Sequence, residues 1–189
     1  MLREIEIINR ENDINEVGNI RFIKKEELEK IIELQTKVME WLSDKDLYSP
    51  PKEEEYYNLL NGENKRGKLI GCFNEEESLI AMGSYCYHGK DGHNYGYDIE
   101  IEGDELLEIA QIEATVVHKD YRGNKLQGII CEVMEELAIE DGFKILMATA
   151  SPDNPYSLNT FLKNGFKIEK EKLKYGGLKR AILRKDIGK

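Results

Sequence analysis

The sequence predicts a mixed α/β fold, an α+β arrangement in which one central sheet carries helices on both faces. Three observations predict it. First, the apolar and β-branched stretch Ile109 to Val117 is followed by a polar turn. A helix then begins whose apolar residues Leu126, Ile129, Ile130, Val133, Met134, Leu137 and Ala138 repeat along one face. Second, the stretch 144–150 after that helix reads as another strand. A strand, a helix and a strand in that order require parallel pairing and a right-handed crossover. Third, the other strand-like segments are joined by short polar connections, as in antiparallel hairpins. The order β-α-α-β-β-β-α-β-α-β-β gives a mixed sheet of about seven strands.

Taken in order, residues 2–9 alternate loosely through Leu2, Ile5, Ile7 and Ile8, and residues 1–18 fit either an extra strand or an arm. Glu11 to Gly18 is polar and turn-like, and Asn19 to Ile23 alternates as a strand. Lys25 to Leu42 carries Leu28, Ile31, Ile32, Gln35, Val38, Met39 and Leu42 on one helical face. A loop with Pro50-Pro51 leads to a short helix over 53–60, closed by Asn61-Gly62. Strands 68–73 and 78–87 flank the charged turn Asn74-Glu75-Glu76-Glu77. His88 to Glu105 is polar and Gly-rich, an excursion around a strand fragment marked by Tyr95, Tyr97, Ile99 and Ile101. Asp141-Gly142 stops the long helix. Asn154 and Pro155 suit the N-cap and first residue of a further helix, with Leu158, Phe161 and Leu162 facing inward and Asn164-Gly165 at its end. Strands 166–175 and 178–183, joined by Gly176-Gly177, close the chain.

The 189 residues suit a single domain, 1–189, and 40% hydrophobic with 34% charged residues suits a globular core. The formal net charge of −10 opposes a nucleic-acid surface. No apolar run is long enough for a bilayer, and the charged start is no secretory leader, so a membrane partner is not expected. Cys72, Cys86 and Cys131 lack metal spacing and read as reduced cytoplasmic thiols. His88, His93 and His118 form no ligand set, so no metal is expected. Edge strands leave room for a homodimer.

The turn Arg122-Gly123-Asn124-Lys125 between strand and helix carries chemistry. A helix start presents unpaired N–H groups and the positive end of the helix dipole, which together suit phosphate. Arg122-Gly123-Asn124-Lys125-Leu126-Gln127 resembles the pyrophosphate signature Gln/Arg-x-x-Gly-x-Gly/Ala of the GCN5-related N-acetyltransferase (GNAT) family. Asn154 opening a helix that ends in Gly165-Phe166 resembles its second signature, and the likeness spans 109–183. Lys125 and Gln127 stand where the family has small residues, and helical backbone angles there would suit any side chain.

The resemblance implies a fold splayed between the strand ending at Val117 and the strand 144–150, with acetyl-CoA as cosubstrate. The main chain of Gly123, Asn124, Lys125, Leu126, Gln127 and Gly128, beside Arg122, would face the diphosphate. Thr115 and Val117 would pair with the pantetheine arm, an amide near Val116 and Val117 would polarise the thioester, and Asn154 would reach the arm. Two family positions are altered: Phe161 stands where many members have a tyrosine acid, and Gln111 where one branch has a glutamate base. Glu113 is the candidate base, directly or through water, or else a carboxylate hydrogen-bonded at the cleft edge. Tyr156 and Tyr175 are the candidate acids. The expected activity is acetyl transfer to a primary amine, of a small molecule or a peptide, by direct attack in a ternary complex. An acyl-CoA-binding sensor without turnover is the alternative. The acceptor region expected from the family is 41–57 with Tyr175-Gly176-Gly177.

Overall fold

The computed structural model describes residues 2–62 and 66–188. One eight-stranded sheet runs in the order β1-β2-β3-β4-β5-β6-β8-β7. Its strands are β1 (Arg3–Asn9), β2 (Ile14–Phe22), β3 (Gly67–Phe73), β4 (Leu79–Cys86), β5 (Ile109–Val117), β6 (Ile145–Ala150), β7 (Lys167–Lys174) and β8 (Leu178–Asp186). The helices are α1 (Leu28–Trp41), α2 (Glu53–Asn61), α3 (Leu126–Glu140) and α4 (Pro155–Lys163). Among the described residues, only β5 and β6 pair in parallel, as a strand–helix–strand connection demands.

The count is eight rather than seven because the N-terminal arm is a strand. β1 pairs with β2 from Arg3↔Ile20 to Asn9↔Ile14. Residues 14–18, the larger part of the segment expected as a turn over 11–18, therefore belong to β2. The reversal is tighter, at residues 10–13, where Asp13 takes the left-handed conformation at φ 58°.

The two faces of the sheet carry different covers. On the back face, α3 buries Leu126, Ile130, Met134 and Ala138 against Ile70, Ile80, Ala110 and Leu146. Gly83 admits this helix: a Cβ there would stand 2.7 Å from the Met134 methyl carbon. On the front face, Ile31, Leu34 and Val38 of α1 and Tyr56 of α2 pack on Leu69, Phe73, Met82 and Val116. β4 is covered on both sides, which is why it reads as a near-continuous apolar run. Both helix stops behave as their sequences require. Gly142 (φ 86°) and Gly165 (φ 87°) follow α3 and α4, with Phe143 N–H donating to Ala138 O and Phe166 N–H to Phe161 O.

The excursion 88–108 differs from expectation. Tyr95–Ile99 and Gly103–Glu108 are 3-10 turns, not a strand fragment. The alternating aromatics mimic a strand, but the Asn94 side chain accepts from Gly96 N–H and starts a turn instead. The turns cover the front of β5, β6 and β8, placing Tyr95, Ile101 and Leu106 against Ile109, Met147 and Ile182. At the far end, β8 runs on to Asp186, and Leu162 on α4 is 39% exposed rather than inward-facing.

Candidate active site

The cleft arises where two neighbouring strands part. β5 and β6 pair from Ile109↔Ile145 to Ile112↔Ala148 and no further, although β5 continues to Val117. Each strand stays with its outer neighbour: β5 with β4 through Val117↔Ala81, and β6 with β8 through Ala150↔Ala181. The divergence begins at a β-bulge. Met82 faces Val116 but Ser84 faces Glu113, so β5 spends one residue more than β4, and Ala114 adopts φ 51°. Beyond the bulge, His118 N–H donates to Ile80 O. By the alternation of an antiparallel ladder, Val117 then turns its N–H and C=O to the open edge, and Thr115 shares that edge. The Val116 side chain packs in the front core and Val117 against the back core.

Below the open edge lies the start of α3. Among the described residues, the backbone N–H groups of Gly123, Asn124, Lys125, Leu126, Gln127 and Gly128 meet no acceptor. The N–H of Arg122 is already used, donating to Lys119 O. Free donors at a helix start form an anion cradle. Gln127 is helical, but Lys125 is not: it stands at φ 59°, ψ 19°, the left-handed conformation, because it swings the chain into α3. That corrects the expectation of helical angles at both positions.

Several side chains in this turn are committed elsewhere. Asn124 accepts from Ile8 N–H and donates to Ile8 O, both at 2.8 Å, stapling β1 to the turn. The Leu126 side chain is core. Gly128 faces α4, where a Cβ would stand 3.3 Å from the Asn164 side-chain amide. For these three residues only the main chain is left for a ligand. Arg122 and Lys125 are exposed. Gln127 donates to Thr115 Oγ1 (3.1 Å) and Ser157 Oγ (2.9 Å), a strap from one wall of the cleft to the other. Asn154 caps α4, accepting from Ser157 N–H at 3.2 Å, as its N-cap position predicts.

Sequence patterns did not single out Arg10. The β1–β2 reversal brings it over the turn: Arg10 N–H donates to Asp120 O, and its guanidinium lies 3.5 Å from where a Gly123 Cβ would be. No local motif marks it, because its place depends on β1 pairing at the sheet edge.

The front side of the cleft is lined by side chains. Glu113 Oε1 accepts from Gln111 Nε2 (2.6 Å) and stands 3.2 Å from His88 Nε2. Gln111 is fully buried, and its oxygen accepts from Tyr95 N–H at 2.6 Å, so it ties the excursion to β5 and orients Glu113. Tyr175 OH meets Tyr95 OH (2.8 Å) and Thr149 Oγ1 (3.1 Å). Burial raises the pKa of both tyrosines, and the Glu113 charge raises both further. The two candidate acids therefore part company. Tyr175, 43% exposed, keeps its hydroxyl on Tyr95 and Thr149 within the field of Glu113, whereas Tyr156 is 87% exposed, because the first turn of α4 directs it to solvent. Phe161 is core, edge-on to Phe166 at 5.3 Å. His118 packs edge-on to Trp41 and accepts from Asp120 N–H, lining a separate cavity of about 390 Å³ with Lys30 and Glu33. Cys131 is buried and its thiol is pushed up to about 12 by desolvation, unsuited to nucleophilic work.

The arrangement offers an anion cradle, a slot with a free strand edge, and an oriented carboxylate. A family model described as Acetyltransferase (GNAT) family matches residues 36–166. Comparison with curated proteins finds no match. Among solved structures, an N-acetyltransferase from Staphylococcus aureus Mu50 is similar, with TM-score 0.68, 16% identity, and 90% of this chain and 98% of that chain covered. The acetyltransferase of GNAT family from Streptococcus pneumoniae gives TM-score 0.67, 19% identity and coverage of 90% and 99%. A GNAT superfamily phosphinothricin acetyltransferase from Sinorhizobium meliloti, in complex with AcCoA, gives TM-score 0.66, 14% identity and coverage of 90% and 89%.

Proposed function

Because the chain belongs to the acetyltransferase (GNAT) family, we propose that it transfers acetyl from acetyl-CoA to a primary amine, with residues 1–189 acting as one unit. One observation carries this: the β5–β6 ladder ends at Ile112↔Ala148, opening a slot directly above the acceptor-free N–H groups of residues 123–128. The diphosphate would rest on those amides, with the Arg10 and Lys125 cations beside it and Arg122 at the edge. The free edge at Thr115 and Val117 suits the amide-rich pantetheine arm, as added strands suit open sheet edges. Asn154 supports the arm from the other wall, since its Nδ2 has no partner among the described residues.

Acetyl-CoA, once bound, supplies a thioester. The chain's part is to position and to move protons. Val117 N–H, aimed into the opening, polarises the carbonyl. Glu113 accepts the proton that a neutral amine sheds as its nitrogen bonds to the carbonyl carbon and the C–S bond breaks. Tyr175 donates to the departing thiolate. Its raised pKa keeps that proton in place through the neutral range. The attack is direct, since burial disables Cys131.

The buried Gln111 and core Phe161 favour a second reading, a binding module without turnover, because neither family position supplies a proton carrier. Two measurements separate them. Saturating acetyl-CoA should stabilise the protein by about 2.7 kcal/mol at a hundred times Kd, and a panel of amines should elicit thiol release. Stabilisation without release by any amine would favour the binding module. Absence of stabilisation would end both.

A further inference from the structure

Glu113, the proposed base, meets two protein groups, and both lie on the same oxygen. Gln111 Nε2 donates to Oε1 at 2.6 Å, and His88 Nε2 stands 3.2 Å from it. Oε2 has no partner among the described residues and is open to solvent. β4 brings His88 here. Its Ser84 pairs with Glu113 and its Cys86 with Gln111, and His88 follows two residues on. The chain then turns, with Asp91 N–H donating to His88 O, and Gln111 Nε2 also reaches His93 O at 3.4 Å. His88 is thereby pinned where the excursion leaves the sheet.

The two ring nitrogens of His88 have different surroundings. A lone pair on Nε2 would face a carboxylate, so Nε2 carries the hydrogen and donates. Nδ1 is buried and has no partner among the described residues. A second hydrogen there would be buried without an acceptor. His88 is built as a donor to Glu113, not as a carrier of protons. One donor leaves a carboxylate free to swing about that contact. Two donors on one oxygen fix its plane and, with it, the aim of the other oxygen.

We propose that His88 is a positioning residue for the proton transfer: with Gln111 it holds Glu113 Oε1, so that Oε2 takes the proton of the amine. As the nitrogen bonds to the carbonyl carbon, its N–H bond breaks, the proton passes to Oε2 and the electron pair stays on nitrogen. His88 neither gains nor loses a proton. This rests on the acetyl-transfer reading above and names the atom that acts and what aims it.

Thiol release from acetyl-CoA tests it, with benzylamine, putrescine, glycinamide and a lysine-containing peptide as acceptors and the fastest of them kept. His88→Leu, which keeps bulk but no donor, should lower kcat by about tenfold and leave the acceptor KM within about twofold. His88→Gln, which keeps a side-chain N–H, should recover kcat to within about threefold of the parent. In a Glu113→Gln background His88→Leu should cost less than about twofold, because the group it aims is gone. Thermal stabilisation by acetyl-CoA reports whether each variant is folded. In the unaltered protein, ¹⁵N spectra of the imidazoles near pH 8 should show His88 protonated on Nε2 and bare on Nδ1, a readout that needs no variant. The opposite tautomer overturns the proposal. So does a kcat loss in His88→Leu that is under about threefold, that His88→Gln does not rescue, or that is as large in the Glu113→Gln background. If Glu113→Gln is slow while His88→Leu is not, this proposal falls alone. If Glu113→Gln keeps the parent rate, or no amine releases thiol, the reading beneath it falls as well.

Discussion

The back and front of the cleft are built from different materials. The back, where β5 hands over to α3, consists of main-chain N–H groups on consecutive residues, 123–128, and a free strand edge at Val117. The front is made of side chains from separated segments: Glu113 on β5, Tyr95 in the excursion, Thr149 on β6 and Tyr175 in the last turn. A main-chain site tolerates changes of side chain, so Lys125 and Gln127 can replace small residues while the cradle survives. A side-chain site has no such tolerance. The back should therefore respond weakly to most substitutions and the front strongly.

The largest effects are expected at the front. Glu113→Gln should lower kcat by about 10²- to 10⁴-fold while leaving acetyl-CoA stabilisation unchanged; a change under about threefold would assign the proton to a water instead. Tyr175→Phe should lower kcat less, by about tenfold, with most of the deficit in the thiol-forming step. Equal rates from the two proteins would remove it as the acid.

Smaller effects are expected at the back. Gln127→Glu places a carboxylate beside the cradle and should weaken acetyl-CoA binding by about tenfold, roughly 1.4 kcal/mol. Gln127→Ala, which cuts the strap between Thr115 and Ser157, should tighten it. If calorimetry finds both variants equal to the parent, the side chain lies outside the donor's path. Arg10→Gln keeps the backbone bond to Asp120 but removes the cation, so affinity should fall by about three- to tenfold at low salt and by little near 1 M, where screening is short-ranged. A loss that ignores salt would mean a structural role. The smallest change is Lys125→Gly. It relieves the left-handed strain at φ 59° and should raise stability by about 0.5–1 kcal/mol, or about 1–4 °C in Tm, while the lost cation lowers affinity at low salt by no more than about threefold. A lower Tm would show that the lysine side chain holds the turn.

The same contrast explains what could be read from the sequence. The β5–α3–β6–α4 run was legible because period, cap and stop signals lie close together: the apolar face of α3, Asp141-Gly142, Asn154-Pro155 and Asn164-Gly165 all sit where expected. The run of acceptor-free N–H groups at 123–128 was legible for the same reason, as consecutive residues at one strand-to-helix turn. Lys125's left-handed conformation was not, since nothing in a lysine announces it. The excursion misled because Tyr95, Tyr97, Ile99 and Ile101 alternate as a strand does, while the Asn94 cap and Gly96 enforce a turn. A Cβ on Gly96 would stand 2.6 Å from Ile109. Arg10 left no local trace. It lies over the turn only because the pairing of β1 with β2 carries it there.

The central claim is that consecutive main-chain amides at the start of α3 hold the donor's diphosphate. The most direct measurement is an acetyl-CoA titration followed through the backbone ¹⁵N–¹H resonances. The amides of Gly123 to Gly128 should show the largest shifts and saturate together, with Val117 moving alongside them. If acetyl-CoA binds while those resonances stay still and others move, the donor sits elsewhere and the account is wrong.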